Sequence, residues 1–506
     1  MTHDATFCGH SIKCEVFTMR SCGILMPISS LPGPFGIGSL GSEAFAFVDF
    51  LKKSGQRFWQ ILPIGPTGYG DSPYQSFSAF AANPYFIDLE LLHKDGLLTE
   101  AELQSAKHGD DDAKINYGRL FETRYKILEK AVNRFDFCGR DYARFCEENR
   151  YWLDDYALFM AIKEDNGMVA FSKWPQPLRS RNQDALNEAR YRLGPRVGFW
   201  CIVQYLFHCQ WVRLKQYAND NGIDIIGDIP IYVSPDSSDL WANGELFQID
   251  AKGTPTEVAG CPPDAFSSSG QLWGNPLYAW EYHKRTGYEW WLRRMRHAGE
   301  IYDVVRIDHF RGFAGYYAIA ADAKDAINGN WRKGPGEDFI HALQNGLPNL
   351  RIIAEDLGYL TPEVRELLAT SGYPGMKVLQ FAFDSREESD YLPHNYTANS
   401  VVYTGTHDNT TTEDWQFSAP VGDVAFARRY LDAPCGSLTP RFVRAALESV
   451  ANTAIIPLAD WLCLGKNARI NTPSTSFGNW NWRAAKSAFS DIKANEIRTK
   501  CRLYGR

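Results

Sequence analysis

Eight short apolar runs, each followed by enough residues for a helix or a longer insertion, constrain this 506-residue chain more than any other feature. They are GILMPISSL (23–31), FWQILPI (58–64), GIDIIGDIPIYV (222–233), VVRIDHFRG (304–312), RIIAEDLG (351–358), KVLQFAFD (377–384), SVVYTGTHDN (400–409) and AIIPLADWL (454–462). Short runs rich in β-branched and aromatic residues fit buried strands. Strands that alternate with helix-length segments point to βα units, and eight such units predict an α/β fold of the (β/α)8 TIM-barrel class. A bare barrel takes ~250 residues. The surplus falls after the second and third runs. We therefore expect a single barrel over 20–506, with a loop and helical insertion at about 66–200 and a loop insertion at about 234–300. Roughly 45 residues follow the eighth run, too few for a separate C-terminal β domain. A competing doubly wound open sheet would carry a glycine-rich dinucleotide or phosphate loop after its first strand, and none is expected here.

The polar residues gather at the ends of these runs. Arg306 and Asp308 lie two residues apart, hence on one face of the fourth strand. A permanent cation beside a carboxylate favours its charged form and keeps it a competent nucleophile. The plainer alternative is an ion pair that only ties down a loop. Asp228, Asp308, Glu355 and Asp408 end the third, fourth, fifth and seventh runs. In a barrel, strand C-termini converge on one site, and uncompensated carboxylates repel one another, so stability alone does not account for four of them. A metal site is the first alternative. No HExxH or DxDxDG pattern occurs, and Arg306 would oppose a cation, so an acid–nucleophile pair with no metal and no cofactor is expected.

Composition narrows the class of partner. The net charge of −7 and the absence of a basic block argue against nucleic acid or an anionic membrane. No apolar run approaches the ~20 residues of a membrane span. The polar N-terminal stretch lacks a secretory apolar core, and eleven scattered cysteines without CxxC indicate a reduced, cytoplasmic protein. Aromatic residues reach 14%. Flat apolar faces with polar edges suit ligands that alternate C–H faces with hydroxyls, such as sugars. The aromatic, glycine-rich loop after the second run and the long irregular segment after the third are the natural places for such contacts. Elsewhere, Phe199, Val203, Phe207, Trp211 and Leu214 form one face of a long helix. Ser42 is positioned to cap the helix that follows the first strand, and Asp110–Asp112 reads as a solvated turn.

Taken together, YGDSPYQSFSAFAANPYF (69–86), GDIPIYV (227–233), PPDAFSSSGQLWGNPLY (262–278), VVRIDHFRGF (304–313), IIAEDLG (352–358), TGTHDN (404–409), ARINTP (468–473) and GNWNWR (478–483) resemble the 4-α-glucanotransferases. This family is also known as amylomaltase or disproportionating enzyme, glycoside hydrolase family 77. The resemblance implies that Asp308 is the nucleophile, Glu355 the general acid/base and Asp408 a third carboxylate that holds ring hydroxyls. It implies that Arg306 orients the nucleophile, that His309 and His407 contact sugar hydroxyls, and that Tyr74 forms a platform under the cleaved sugar, with Ser72 beside it in the same loop. Trp273 and Asn275 match the substrate groove, Asp264 the lid before it, and Asp228 a strand-end acid with a structural or binding role. The implied activity is transfer of α-1,4-glucan segments from a donor to an acceptor maltooligosaccharide. An α-amylase-like hydrolase and a catalytically silent glucan-binding protein are the alternatives. The chain departs from the family pattern at Ala265, Tyr317, Ala459 and Ser474, and none of these removes a catalytic group.

Overall fold

The computed structural model describes residues 19–68, 70–108, 113–250, 252–263, 268–358, 360–475 and 477–506. Among them the strands, in chain order, are β1 (Ser21–Leu25), β2 (Phe58–Gln60), β3 (Asp224–Ile229), β4 (Glu257–Cys261), β5 (Gln271–Pro276), β6 (Val304–Ile307), β7 (Gly315–Ala320), β8 (Gly329–Lys333), β9 (Ile352–Ala354), β10 (Gly375–Val378), β11 (Ser400–Tyr403) and β12 (Thr453–Pro457). Eight of them close into a parallel barrel in the order β1-β12-β11-β10-β9-β6-β3-β2. Each of the eight runs contributes one barrel strand, as expected of a (β/α)8 fold. Every barrel-strand residue is buried except Asp224 and Lys377, which is why these strands read as continuous apolar runs rather than alternating ones.

Each strand is shorter than its run, and after four of them the chain turns out of the wall at once. A 3-10 turn follows at Ile28–Ser30, at Phe310–Phe313 and at Leu379–Phe381, and a helical turn at Leu458–Trp461. Gly23 permits close approach inside the wall: a Cβ there would lie 2.5 Å from that of Phe58.

The stretch Gly36–Gly41 (GIGSLG) does carry the dinucleotide-loop spacing that was not expected. Its glycines serve packing instead. A Cβ at Gly38 would fall 1.9 Å from the Ile28 carbonyl oxygen, and one at Gly41 would fall 2.0 Å from Asp88 Oδ2. Gly41 rather than Ser42 therefore caps the helix Ser42–Lys53.

Two features lie beside the barrel. Helices Tyr117–Val132, Arg150–Asp165 and Gly194–Asp220 occupy the connection from β2 to β3. The stripe Phe199, Val203, Phe207, Trp211 and Leu214 is buried. Lys163, also buried, ties this insertion to the barrel mouth. Its Nζ donates to Val169 O at 3.0 Å and Asp236 Oδ2 at 2.5 Å, and lies 4.9 Å from the Phe77 ring centroid.

The second feature is an antiparallel sheet, β5-β4-β7-β8. It draws two strands from the β3–β6 connection and two from β6–β9, with Val258, Tyr317, Ile319 and Ala326 as its own small core. This sheet is absent from the sequence reading, because β4 and β5 are glycine-interrupted and the central pairing joins β4 to the distant β7. The acidic turn at Asp110–Asp112 lies outside the described residues. After β12 the chain returns as helix Asp491–Leu503. It is anchored by Lys53–Asp491 at 2.8 Å, with the Phe47 and Phe489 rings in contact just before it at 5.2 Å. Among the described residues no separate C-terminal β domain forms.

Candidate active site

Register explains how the first part of the site assembles. Asp228 on β3 is the cross-strand neighbour of Arg306 on β6. Both are buried, and Arg306 Nη1 donates to both Asp228 oxygens at 2.7 and 2.6 Å. Nη2 reaches Asp308 Oδ1 at 3.0 Å, and Nε faces Met376 Sδ at 3.3 Å. A buried guanidinium is tolerable only when its donors are met by acceptors, and here those acceptors are carboxylates. Arg306 therefore does more than orient Asp308: it also neutralises Asp228 and joins two strands. The Tyr74 hydroxyl completes Asp228, donating to Oδ2 at 2.7 Å.

Glu355 leaves β9 and is gripped by two backbone donors. His309 N–H donates to Oε2 at 2.6 Å and Leu357 N–H to Oε1 at 2.9 Å. His309 adopts a left-handed backbone conformation, φ 54°, which costs roughly 1 kcal/mol for a non-glycine residue. The surrounding bonds hold it there: Asp308 N–H donates to Ile229 O, and Phe310 N–H to Glu355 O, both at 3.0 Å. Burial drives the His309 imidazole down to about 3, so it stays neutral.

Burial also separates the two acids. It is the first cause raising Glu355 to about 8, with the charge of Asp308 adding and Arg306 and the two N–H donors opposing. Burial raises Asp308 to about 6, with Asp228 and Asp408 adding and Arg306 and His407 opposing. Arg306 was expected to dominate at Asp308; loss of water outweighs it. Both carboxyls are raised, Glu355 the further of the two, which is the order that a general acid beside a nucleophile requires.

Asp408 follows β11 and is the most open of the three acids, 47% exposed. Its Oδ1 accepts from Asn471 Nδ2 at 2.6 Å, and Oδ2 lies 3.4 Å from His407 Nε2. The buried His407 ring stacks on Tyr74 with centroids 5.1 Å apart and 17° between planes. Trp480 lies 5.8 Å from Tyr74 and 6.0 Å from His407. Tyr74 is thus held at both ends, by Asp228 and by His407.

The structure brings Asp228, Arg306, Asp308, Glu355, His309, Asp408, His407 and Tyr74 together. Trp273 joins them through an edge contact with His309 at 4.8 Å. Ser72 Oγ accepts from Tyr74 N–H at 3.3 Å and shapes the turn that presents the ring. Asn275 is turned inward rather than toward a groove: Nδ2 donates to Val233 O at 2.7 Å and Oδ1 accepts from Gln75 at 3.1 Å. Its amide joins the loops after β2 and β3. Asp264 and Ala265 lie outside the described residues. Asn471 and Trp480 were not singled out from sequence, although both fall in matched stretches. A cavity of about 560 Å³ lies away from these acids, between helices Tyr117–Val132, Arg150–Asp165 and Gly194–Asp220. Among the described residues no group of three or more His, Cys, Asp or Glu is placed to hold a metal ion.

Comparison with known proteins agrees with this geometry. A family model described as 4-alpha-glucanotransferase matches residues 26–488. The chain belongs to this family. A 4-alpha-glucanotransferase of Streptococcus pneumoniae is 48% identical over 493 residues, 96% of this chain and 97% of the relative. One of Clostridium butyricum is 45% identical over 490 residues, 95% of this chain and 100% of the relative. The solved amylomaltase of Streptococcus agalactiae in complex with acarbose superposes with a TM-score of 0.93 at 42% identity, covering 96% and 99% of the two chains. Family membership and barrel architecture thus agree over nearly the whole chain.

Proposed function

We propose that the protein transfers α-1,4-glucan segments between maltooligosaccharides by a retaining double displacement. Asp308 attacks the anomeric carbon while Glu355 protonates the departing glycosidic oxygen. The C–O bond breaks, and the donor segment is held as an ester of Asp308. The liberated chain leaves, and the 4-hydroxyl of an acceptor glucan then attacks the same carbon. It gives its proton to Glu355 and releases Asp308, so both groups return to their starting states. Asp408, with His407, takes ring hydroxyls and favours the distorted sugar. Tyr74 and Trp273 offer aromatic faces to the chain. Asp228 and Arg306 keep the nucleophile in place without touching sugar.

The observation that carries this reading is the placement of Asp308 and Glu355 at the ends of adjacent strands β6 and β9, the first paired with Arg306 at 3.0 Å and the second held by two backbone N–H donors. Family membership supports transfer as the outcome, and the solved relative's complex with acarbose supports a carbohydrate ligand. The reading extends to one catalytic barrel over 20–506 and to a cytoplasmic location, the latter supported by eleven scattered cysteines with no CxxC spacing. No helix among the described residues is long and apolar enough to cross a membrane.

Incubation with maltotriose tests transfer directly. Glucose and longer maltodextrins should accumulate with little gain in total reducing ends. A rise of reducing ends in step with product formation would identify a hydrolase instead. The complete absence of products would identify a glucan-binding protein.

A further inference from the structure

The three acids are held in unequal ways. Two backbone N–H groups fix Glu355, and a buried guanidinium fixes Asp308. Asp408 is half exposed, and the shortest bond to its carboxylate comes from a side chain on another segment, Asn471. An exposed aspartate held by one bond would turn freely about its side-chain torsions without that bond. The segment carrying Asn471 is itself built to stay. Asn471 N–H donates to His407 O at 3.1 Å, so the loop is pinned to the residue beside the acid. Arg469 clasps both sides, Nε to Asn471 O at 2.7 Å and Nη2 to Asp408 O at 3.1 Å. Trp480 N–H donates to Ile470 O at 2.7 Å, and Thr472 N–H donates to Asn479 Oδ1 at 2.9 Å. The Tyr117 hydroxyl donates to Trp480 O at 2.9 Å and ties the loop to the helical insertion.

We propose that Asn471 is a positioning residue for the transfer reaction. Its amide occupies Asp408 Oδ1 and leaves Oδ2, beside His407 Nε2, to take a sugar hydroxyl. The inference rests on the hydroxyl-holding role given to Asp408 above. A neutral donor suits this place. It orients the carboxylate without adding a cation next to a sugar that gains positive charge in the transition state. The charged or titratable groups facing Asp408 are His407 at its own strand end, Arg469 from the same loop as Asn471, Asp308 from β6, and the Tyr74 phenol from the loop after β2. A carboxyl in place of the amide would therefore meet Asp408 and donate only while the two share a proton.

The test compares Asn471→Ala, Asn471→Asp and Asp408→Asn with the unaltered protein, following maltotriose disproportionation from about pH 5 to about pH 8. Thermal midpoints verify folding, and the near-isosteric Asn471→Asp guards against a cavity effect in the alanine variant. We expect Asn471→Ala to lower kcat on the order of 10- to 100-fold with KM changed by no more than about threefold. Asn471→Asp should exceed the alanine variant at low pH and fall below it as the shared proton is lost. A loop anchor without influence on Asp408 would not produce that crossing. The positioning role is overturned if Asn471→Ala keeps kcat within about twofold while Asp408→Asn is inactive, or if the two Asn471 variants show parallel pH profiles. Full activity in Asp408→Asn would overturn the underlying reading of Asp408 itself.

Discussion

The barrel wall and the small sheet beside it use strands of similar length, yet they behave as opposite kinds of structure. The wall closes on itself, so no barrel strand offers a free edge. The small sheet ends at β8, where every residue after Gly329 is exposed. On that edge Trp331 is 48% exposed, with the Arg311 guanidinium 4.3 Å from its ring centroid. Closure lets the wall hold charged groups that an open edge could not, because each buried strand end has a neighbour on either side to answer it. Asp228 and Arg306 are such a pair, one on each of two adjacent strands. The difference teaches where substitutions should matter: in the wall they disturb geometry and stability together, and on the edge they disturb neither strongly.

Replacing the nucleophile should have the largest effect. Asp308→Asn should lower transferase activity by ~10⁴-fold or more, since the covalent step is lost, while the thermal midpoint is maintained. A residual activity of a tenth would show that another group forms the glycosyl-enzyme.

Arg306→Met should come next and should affect stability as well. It leaves Asp228 buried with only the Tyr74 hydroxyl, a change that costs about 3–5 kcal/mol, measurable by denaturant unfolding. Adding Asp228→Asn should recover part of that loss. If the double variant were no more stable than the single one, the Asp228–Arg306 pair would not be what joins β3 to β6.

The acid role of Glu355 gives a more selective effect. Glu355→Gln should nearly abolish transfer from maltotriose yet release fluoride from an α-glucosyl fluoride at a much higher relative rate, because that leaving group needs no proton. With Asp308 near 6 and Glu355 near 8, kcat/KM should be bell-shaped, with limbs at about 6 and about 8.

The same shift bears on stability. The folded chain retains the Glu355 proton above the ordinary carboxylate range, where an unfolded chain has lost it. The stabilisation is therefore present at low pH and is lost as pH rises toward about 8. Glu355→Gln should flatten that decline, and an unchanged pH dependence of unfolding would argue against a raised Glu355.

The smallest effect is expected on the edge. Trp331→Ala should change stability by no more than about 1 kcal/mol, as exposed positions usually do. A loss as large as that of Arg306→Met would erase the contrast between wall and edge.

Much of the site was legible because a barrel converts sequence position into spatial position. Asp308, Glu355 and Asp408 each follow an apolar run, and parallel closure brings such positions to one end. The Arg306–Asp308 pair needed only the two-residue period of a strand. Asn275 and Asn471 were harder to read, since an asparagine looks the same in the sequence whether its amide faces a ligand, a carboxylate or the backbone. Asn275 joins two loops, and Asn471 holds an acid 63 residues earlier in the chain. The antiparallel sheet escaped for a related reason: β4 pairs with β7 across the whole of β5 and β6, and no local pattern marks such a partner.

The amino-acid sequence by itself determined the eight-stranded wall and the polar groups at its mouth, because burial on both faces demands continuous apolar runs and the chemistry sits where they stop. Tertiary structure alone decided how those groups divide their work. Burial, more than the neighbouring arginine, sets Asp308 near 6 and Glu355 near 8. Arg306 is shared with Asp228 only because β3 and β6 lie side by side in register. Desolvation and cross-strand partnership depend on what surrounds a residue in space, and a linear pattern does not contain that information.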